Sequence, residues 1–198
     1  MILKEKERTT IQDLQTQEKS CIEKYGRYAQ QAKDPELKNL FQMLQEQERQ
    51  HFESLGKVLN GEVPQCDCND SAGREYEPKA TYTSVNSQED KMNDAFLATD
   101  CIGTEKLVSG EYNSEVFAFE NSGIRKLLAD IQVEEQNHAE MLYKYKMVNV
   151  PEVWNPVCLC ISAFYPDIFS VLFLSESVFL VCFFLSHWFG KISLLPVR

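Results

Sequence analysis

The sequence predicts an all-α protein, a four-helix bundle made of two helical hairpins, and three observations support this prediction. Apolar residues recur with the period of a helix in four stretches of about 25 residues each. Within each half of residues 1–150 a short link joins two stretches, whereas a long segment rich in turn residues joins the halves. The second half also repeats the first at a constant offset. Two short links around one long crossover are a known connectivity of four-helix bundles.

The first hairpin is predicted from its helix-end signals. Its first helix is expected over residues 9–32, with Thr10 and Asp13 at the spacing of a capping box. The second helix is expected to begin after Asp34, an N-cap residue followed by proline. It should end at the Asn-Gly pair of residues 60–61, a typical C-cap.

The second hairpin follows a long predicted loop over residues 61–86, which has many turn residues and no periodicity. Ser87 and Asp90 have the spacing of a helix N-terminus and open the third helix. The Asn-Ser-Gly sequence at residues 121–123 breaks the pattern, and apolar residues at helical spacing then continue over residues 124–145.

The two hairpins are related by internal repetition. Residues 13–55 align with residues 100–142 without gaps, at an offset of 87, and ten of the 43 positions are identical. Several identical positions hold ionisable residues, which packing of a core alone would not require. The alignment therefore indicates a duplicated helical hairpin with a duplicated polar site.

Each half contains a Glu followed 30 residues later by the first residue of a Glu-x-x-His motif. Residues at i and i+3 lie on one face of a helix, so the Glu and the His of the motif can reach one point. The return of the chain through a short turn brings the upstream Glu to about the same height. The six predicted ligands are Glu18, Glu48, His51, Glu105, Glu135 and His138.

The charge of this ligand set predicts two divalent metal ions. Four carboxylates and two neutral imidazoles carry a charge of −4, which two such ions balance. Without metal, four carboxylates buried together would repel one another and take up protons. Oxygen-rich ligands with two histidines suit two Fe ions, or Mn. A single Glu-x-x-His is common on a solvated helix face, but two copies at one offset favour a metal site.

These motifs resemble those of the ferritin-like superfamily, rubrerythrins in particular. The resemblance implies that Glu48 and Glu135 bridge the metals. It also implies that Glu18 completes one metal position with His51, and that Glu105 completes the other with His138.

The chain departs from rubrerythrins in two respects. Those proteins commonly have a further carboxylate on the third helix, at the position of Val108 in this sequence. The sequence also lacks the pair of CxxC motifs that binds the iron of a rubredoxin module. A rubrerythrin-type peroxidase mechanism is therefore weakly supported.

A closer resemblance is to the spore coat protein F family, over about residues 5–148. The stretches that carry it are EKSCIEKYGRYAQQAKDPELKNLFQ, EQERQHFESLGKVLNGEVP, DAFLATDCIGTEKLVSGEYNSEVFAFE and IQVEEQNHAEMLYKY. It implies a structural or protective role in the spore coat, a location there or in the mother-cell cytoplasm, and association with other coat proteins or with itself. The alternative is a di-iron oxidoreductase, a peroxidase or ferroxidase acting on peroxide or O₂, so whether the protein is an enzyme stays open.

The overall charge argues against a nucleic-acid partner. The chain has 20 basic and 30 acidic residues, for a formal net charge of −10. Proteins that bind nucleic acids normally present a basic face to the phosphates. We therefore expect no nucleic-acid partner for this chain.

The composition changes near residue 150, which predicts a bundle domain over residues 1–150 and a hydrophobic tail over residues 151–198. The tail holds seven of the twelve Phe and both Trp. Its residues 168–190 form a nearly apolar run long enough to cross a bilayer. Glu176 near the middle would oppose insertion by about 2.5–3 kcal/mol. A membrane segment and a non-native, out-of-frame extension are both open interpretations.

Four further residues have more than one interpretation. Tyr25 and Tyr112 follow the upstream ligand Glu by two turns, and they either donate hydrogen bonds to ligands or are ordinary core residues. Cys66 and Cys68 in the long loop are thiols available for cross-linking of the coat, plain surface cysteines, or half of a four-thiolate metal site with Cys158 and Cys160, although the CxC spacing differs from the usual CxxC.

Overall fold

The computed structural model describes residues 2–65, 71–82 and 87–150. Of these residues 82% are helical, and none lies in a strand, which confirms the all-α prediction. The helices are α1 (Glu5–Gln31), α2 (Pro35–Leu59), α3 (Ala72–Glu75), α4 (Gln88–Glu115) and α5 (Ser122–Asn149). The four-residue helix α3 lies in the predicted long loop, and it is too short to produce a periodic apolar pattern.

The first helical pair begins earlier than predicted. Helix α1 starts at Glu5 because the backbone N–H of Lys4 donates a hydrogen bond to the Glu7 carboxylate over 2.9 Å, so Thr10 lies inside the helix. The predicted cap of α2 is confirmed, since the Asp34 side chain accepts a hydrogen bond of 3.0 Å from a backbone N–H in the first turn. After α2 the chain turns at Gly61, whose φ of 89° favours glycine.

The second helical pair has the predicted N-cap on its first helix, but that helix is shorter than predicted. Ser87 accepts a hydrogen bond of 3.0 Å from the backbone N–H of Asp90, which confirms the predicted start of α4. Helix α4 ends at Glu115, and a 3₁₀ turn over Val116–Ala118 follows. The Asn121 side chain then caps α5.

Two buried apolar clusters lie on either side of a polar layer. Helix α1 packs along α2, and α4 packs along α5. Both clusters contain side chains from all four long helices. In the order of the chain, the predicted ligands of α2, α4 and α5 fall between residues of one cluster and residues of the other. The ligand layer is therefore enclosed by hydrocarbon along the helix axes.

Two buried aspartates accept hydrogen bonds that connect the helix ends to the segment before α4. The Asp94 carboxylate of α4 accepts hydrogen bonds from the backbone N–H groups of Lys33 and Asp34 (2.8–3.1 Å) and from the Tyr82 hydroxyl. The Asp34 carboxylate in turn accepts from Thr81 and Tyr145, each at 2.6 Å. This network connects the α1–α2 turn to α4, to α5 and to the segment before α4.

The hydrophobic tail over residues 151–198, with its run over residues 168–190, lies outside the described residues, as do Cys66 and Cys68. Among the helices that the structure describes, none is long and apolar enough to cross a membrane. The domain boundary at residue 150 stays a prediction.

Candidate metal centre

The structure brings the six predicted ligands together in the interior. Helix α1 contributes Glu18, α4 contributes Glu105, and α2 and α5 each contribute one Glu-x-x-His pair. None of the six residues is more than 4% exposed to solvent. Among the residues that the structure describes, these side chains form two overlapping groups that could each hold a metal ion.

The first group consists of Glu18, Glu48, His51 and Glu135. One potential ligand atom from each residue lies within 4.8 Å of all the others. The Nδ1 atom of His51 is 3.1 Å from Oε1 of Glu135, 3.5 Å from Oε2 of Glu48 and 3.6 Å from Oε2 of Glu18. The imidazole nitrogen thus faces three carboxylates from three different helices.

The second group consists of Glu48, Glu105, Glu135 and His138. Nδ1 of His138 is 3.0 Å from Oε1 of Glu48, 3.5 Å from Oε2 of Glu105 and 3.7 Å from Oε2 of Glu135. Glu48 and Glu135 therefore belong to both groups, and each directs one oxygen to each histidine. The two imidazole rings are stacked, with centroids 5.8 Å apart and planes inclined by 15°.

The hydrogen-bonding state of these atoms tests whether the cluster fits metal ions. Ten buried side-chain polar atoms in the described residues have no hydrogen-bond partner. Eight of the ten are the Nδ1 atoms of the two histidines, Oε2 of Glu18 and of Glu105, and both oxygens of Glu48 and Glu135. Buried polar atoms normally have a hydrogen-bond partner. This set of nitrogen and oxygen atoms has none, and its free lone pairs fit the coordination of cations.

The two tyrosines whose role the sequence left open contact the cluster. The Tyr25 hydroxyl donates a hydrogen bond to Oε1 of Glu105, and the Tyr112 hydroxyl donates to Oε1 of Glu18. Each tyrosine thus reaches from one hairpin to the other. Both are buried, with exposures of 1% and 0%, so they are also core residues. Because each phenol occupies Oε1, the remaining oxygen of each glutamate is left for the cluster.

Sequence reasoning missed one residue of the site, Glu134 on α5. Its Oε2 lies 2.6 Å from Nε2 of His51, on the side of the ring opposite to Nδ1. The only signal in the sequence is an extra Glu directly before the Glu-x-x-His motif of the second half. The first half has Gln47 at the equivalent position, so the repeat does not mark it.

Burial and mutual repulsion hold protons on the metal-free cluster. Burial, followed by the negative charge of Glu48, raises the pKa of Glu18 from 4.5 to about 8. The same two causes raise the pKa of Glu135 well above its usual range. Burial opposes the charging of His51 and His138, but the carboxylates close to their ring nitrogens, first Glu134 for His51 and Glu105 for His138, raise the pKa of both. Burial also opposes ionisation of Glu48, yet the close approach of the two histidines, His138 first, lowers its pKa.

Residues 93–149 match the Coat F domain. The matched segment contains α5 and all but the first five residues of α4, and with them Glu105, Glu135 and His138. No curated protein and no solved structure matches the chain. The predicted resemblance to the spore coat protein F family is thus confirmed over residues 93–149, and over the first hairpin it stays a prediction.

The stability of the metal-free protein should fall as the pH rises. An unfolded chain releases the Glu18 proton near pH 4.5, whereas the folded chain holds it up to about pH 8. The folded state therefore loses stability between these values, with a decrease in Tm on the order of 5–10 °C. The measurement is thermal unfolding of chelator-treated protein at pH 5.5 and 8.0. Glu18→Gln, which cannot ionise, should show a smaller decrease, and equal decreases in both proteins would contradict the assignment.

Removing either tyrosine hydroxyl should weaken metal binding at one position. Tyr25→Phe leaves Glu105 without its donor, and Tyr112→Phe does the same to Glu18. We expect affinity for Mn²⁺ to fall about 10–100-fold in each variant, as is usual when a hydrogen-bond partner of a ligand is lost. Calorimetric titration measures this. Tyr143→Phe, an exposed tyrosine of α5, is the control, and equal affinities in all three variants would sink the prediction.

Proposed function

We propose that this chain is a ferritin-like, metal-binding protein of the spore coat, with two divalent ions held between two helical hairpins. The observation that carries the proposal is a set of eight buried oxygen and nitrogen atoms that could ligate a metal and have no hydrogen-bond partners. All eight belong to the six residues of one cluster. A buried cluster of this kind is unfavourable unless cations or protons neutralise it.

The sharing of two carboxylates supports a pair of ions rather than one. Each histidine faces its own terminal glutamate and one oxygen from each of Glu48 and Glu135. Two ions would each have four protein ligands, with Glu48 and Glu135 bridging them. Two divalent charges would also balance the four carboxylates, with both imidazoles neutral.

The chemistry of the donors favours iron or manganese. Each group offers three carboxylates and one imidazole, and neither includes a thiolate. Such sets suit Fe and Mn, whereas thiolate sites favour zinc, Cu(I) or iron–sulfur clusters. Carboxylate bundles with Glu and Glu-x-x-His on facing helices hold di-iron and di-manganese centres.

The helical arrangement supports the ferritin-like assignment. Paired packing of α1 with α2 and of α4 with α5 corresponds to the two hairpins of the repeat. Both apolar clusters include residues of all four long helices, as in a four-helix bundle with one crossover.

The coat location rests on the Coat F match, which includes three of the six ligands. In the coat, the protein would have a structural or protective role, with other coat proteins or further copies of itself as partners. Bound ions would stabilise the folded bundle by neutralising its interior, since any ligand that binds only the folded state does so.

An oxidoreductase acting on peroxide or O₂ is the second candidate, favoured by the carboxylates that join the two positions. Bound iron would supply redox chemistry toward such small oxidants. The chain's own contribution would be to hold the ions adjacent and to exclude water through the apolar clusters. It would also donate a hydrogen bond from a tyrosine hydroxyl to each terminal glutamate.

Metal content tests the proposal directly. The full chain, loaded anaerobically with Fe²⁺ or Mn²⁺ and desalted, should retain about two ions, as the ligand count predicts. Glu48→Ala/His51→Ala removes one bridging ligand and one imidazole and should lose most of this metal. Glu46→Ala/Glu53→Ala, on the exposed face of the same helix, is the matched control. A folded wild type that retains no metal would refute the proposed metal centre.

Fractionation of spores tests the proposed location. In a spore-forming host that carries this gene, the chain should be found in coat extracts, and a cytoplasmic enzyme of the mother cell should be absent from them. Recovery of the chain only in the mother-cell lysate would refute a coat role. Multiple turnovers of peroxide by the iron-loaded chain, lost in Glu48→Ala/His51→Ala, would favour the oxidoreductase instead.

A further inference from the structure

The two halves of the cluster differ at the outer nitrogen of their histidines. Nε2 of His51 contacts the Glu134 carboxylate at 2.6 Å, across from α2 to α5. Nε2 of His138 is buried and has no hydrogen-bond partner. The pseudo-symmetric counterpart of Glu134 is Gln47, whose Oε1 is also buried without a partner. The outer nitrogen of one imidazole thus contacts a carboxylate, whereas the outer nitrogen of the other has no hydrogen-bond partner.

A carboxylate that contacts the outer nitrogen, Nε2, makes the imidazole a stronger metal ligand through Nδ1. It accepts a hydrogen bond from the Nε2–H group, so that the lone pair of Nδ1 is free to bind a metal, and it increases the basicity of the ring. An amide oxygen is neutral and a weaker acceptor than a carboxylate. Glu134 also adds a negative charge next to one metal position only.

The contact between His51 and Glu134 is shielded from solvent. The side chain of His51 is 5% exposed and that of Glu134 is 19% exposed. A shielded charge-assisted hydrogen bond is stronger than the exposed ion pairs elsewhere on these helices.

From this asymmetry we infer that the two metal positions are inequivalent, and that Glu134 is the positioning residue that makes the position at His51 bind its ion more tightly and fill first. The inference rests on the proposed metal centre. It deepens that proposal by giving the order in which the positions fill and the residue that sets the order.

The test is calorimetric titration of the metal-free full chain with Mn²⁺. The wild type should bind in two steps whose affinities differ about 10–100-fold, the usual effect of such an outer partner. Glu18→Ala should abolish the tighter step and Glu105→Ala the weaker one, since each removes a terminal ligand from one position. The opposite assignment, or two equal steps in the wild type, would overturn the inference.

Two substitutions with opposite effects separate this role from a structural one. Glu134→Gln should weaken the tighter step about 10–100-fold, so that the two steps merge. Gln47→Glu should strengthen the weaker step, a gain that loss of packing would not produce. Glu140→Gln, a partly exposed carboxylate of α5, is the control and should leave both steps unchanged.

The outcomes for the inference and for the metal centre are distinguishable. If the wild type binds two ions and neither Glu134→Gln nor Gln47→Glu changes the separation of the steps, the inference is wrong and the metal centre stands. If a folded wild type binds no Mn²⁺, the metal centre fails and the inference with it. If Glu134→Gln does not fold, as judged by circular dichroism, the assignment of the tighter and weaker steps by Glu18→Ala and Glu105→Ala decides.

Discussion

Four carboxylates share one buried layer of this protein, and their need for neutralising charge is the constraint on which the rest of the structure depends. An isolated buried carboxylate is unfavourable by far more than a typical hydrogen bond can offset. Two imidazoles and two tyrosine hydroxyls surround the carboxylates, yet the inner oxygens of all four remain without hydrogen bonds. Protons or metal ions must therefore complete the layer, and this requirement couples folding to ligand binding.

The apolar clusters explain how such a layer can persist in the interior. They close it along the helices and keep water away, which strengthens every electrostatic interaction within it. Tyr25 and Tyr112 cross from one hairpin to the other, so the polar layer also joins the two halves of the repeat. At the far end of α2 from the layer, Asp34 and Asp94 hold helix ends and loop together through satisfied hydrogen bonds, which makes that network a structural one.

The internal repeat is nearly symmetric in the candidate ligands and asymmetric beside them. The candidate ligands are identical in the two halves, whereas Glu134 and Gln47 differ in charge at equivalent positions. Two equivalent sets of candidate ligands are thus placed in different electrostatic surroundings.

Local signals in the sequence determined the four long helices, the N-caps at Asp34 and Ser87 and the types of the six candidate ligands, because helical periodicity and capping depend on residues a few positions apart. The early start of α1 was missed because Lys4 uses its backbone, and α3 was missed because four residues carry no period. Only the tertiary structure decided which oxygen of Glu48 and Glu135 faces each histidine, and that Glu134 reaches His51 from 83 residues away. Those contacts depend on the rotation and register of helices packed against one another, which no local pattern encodes.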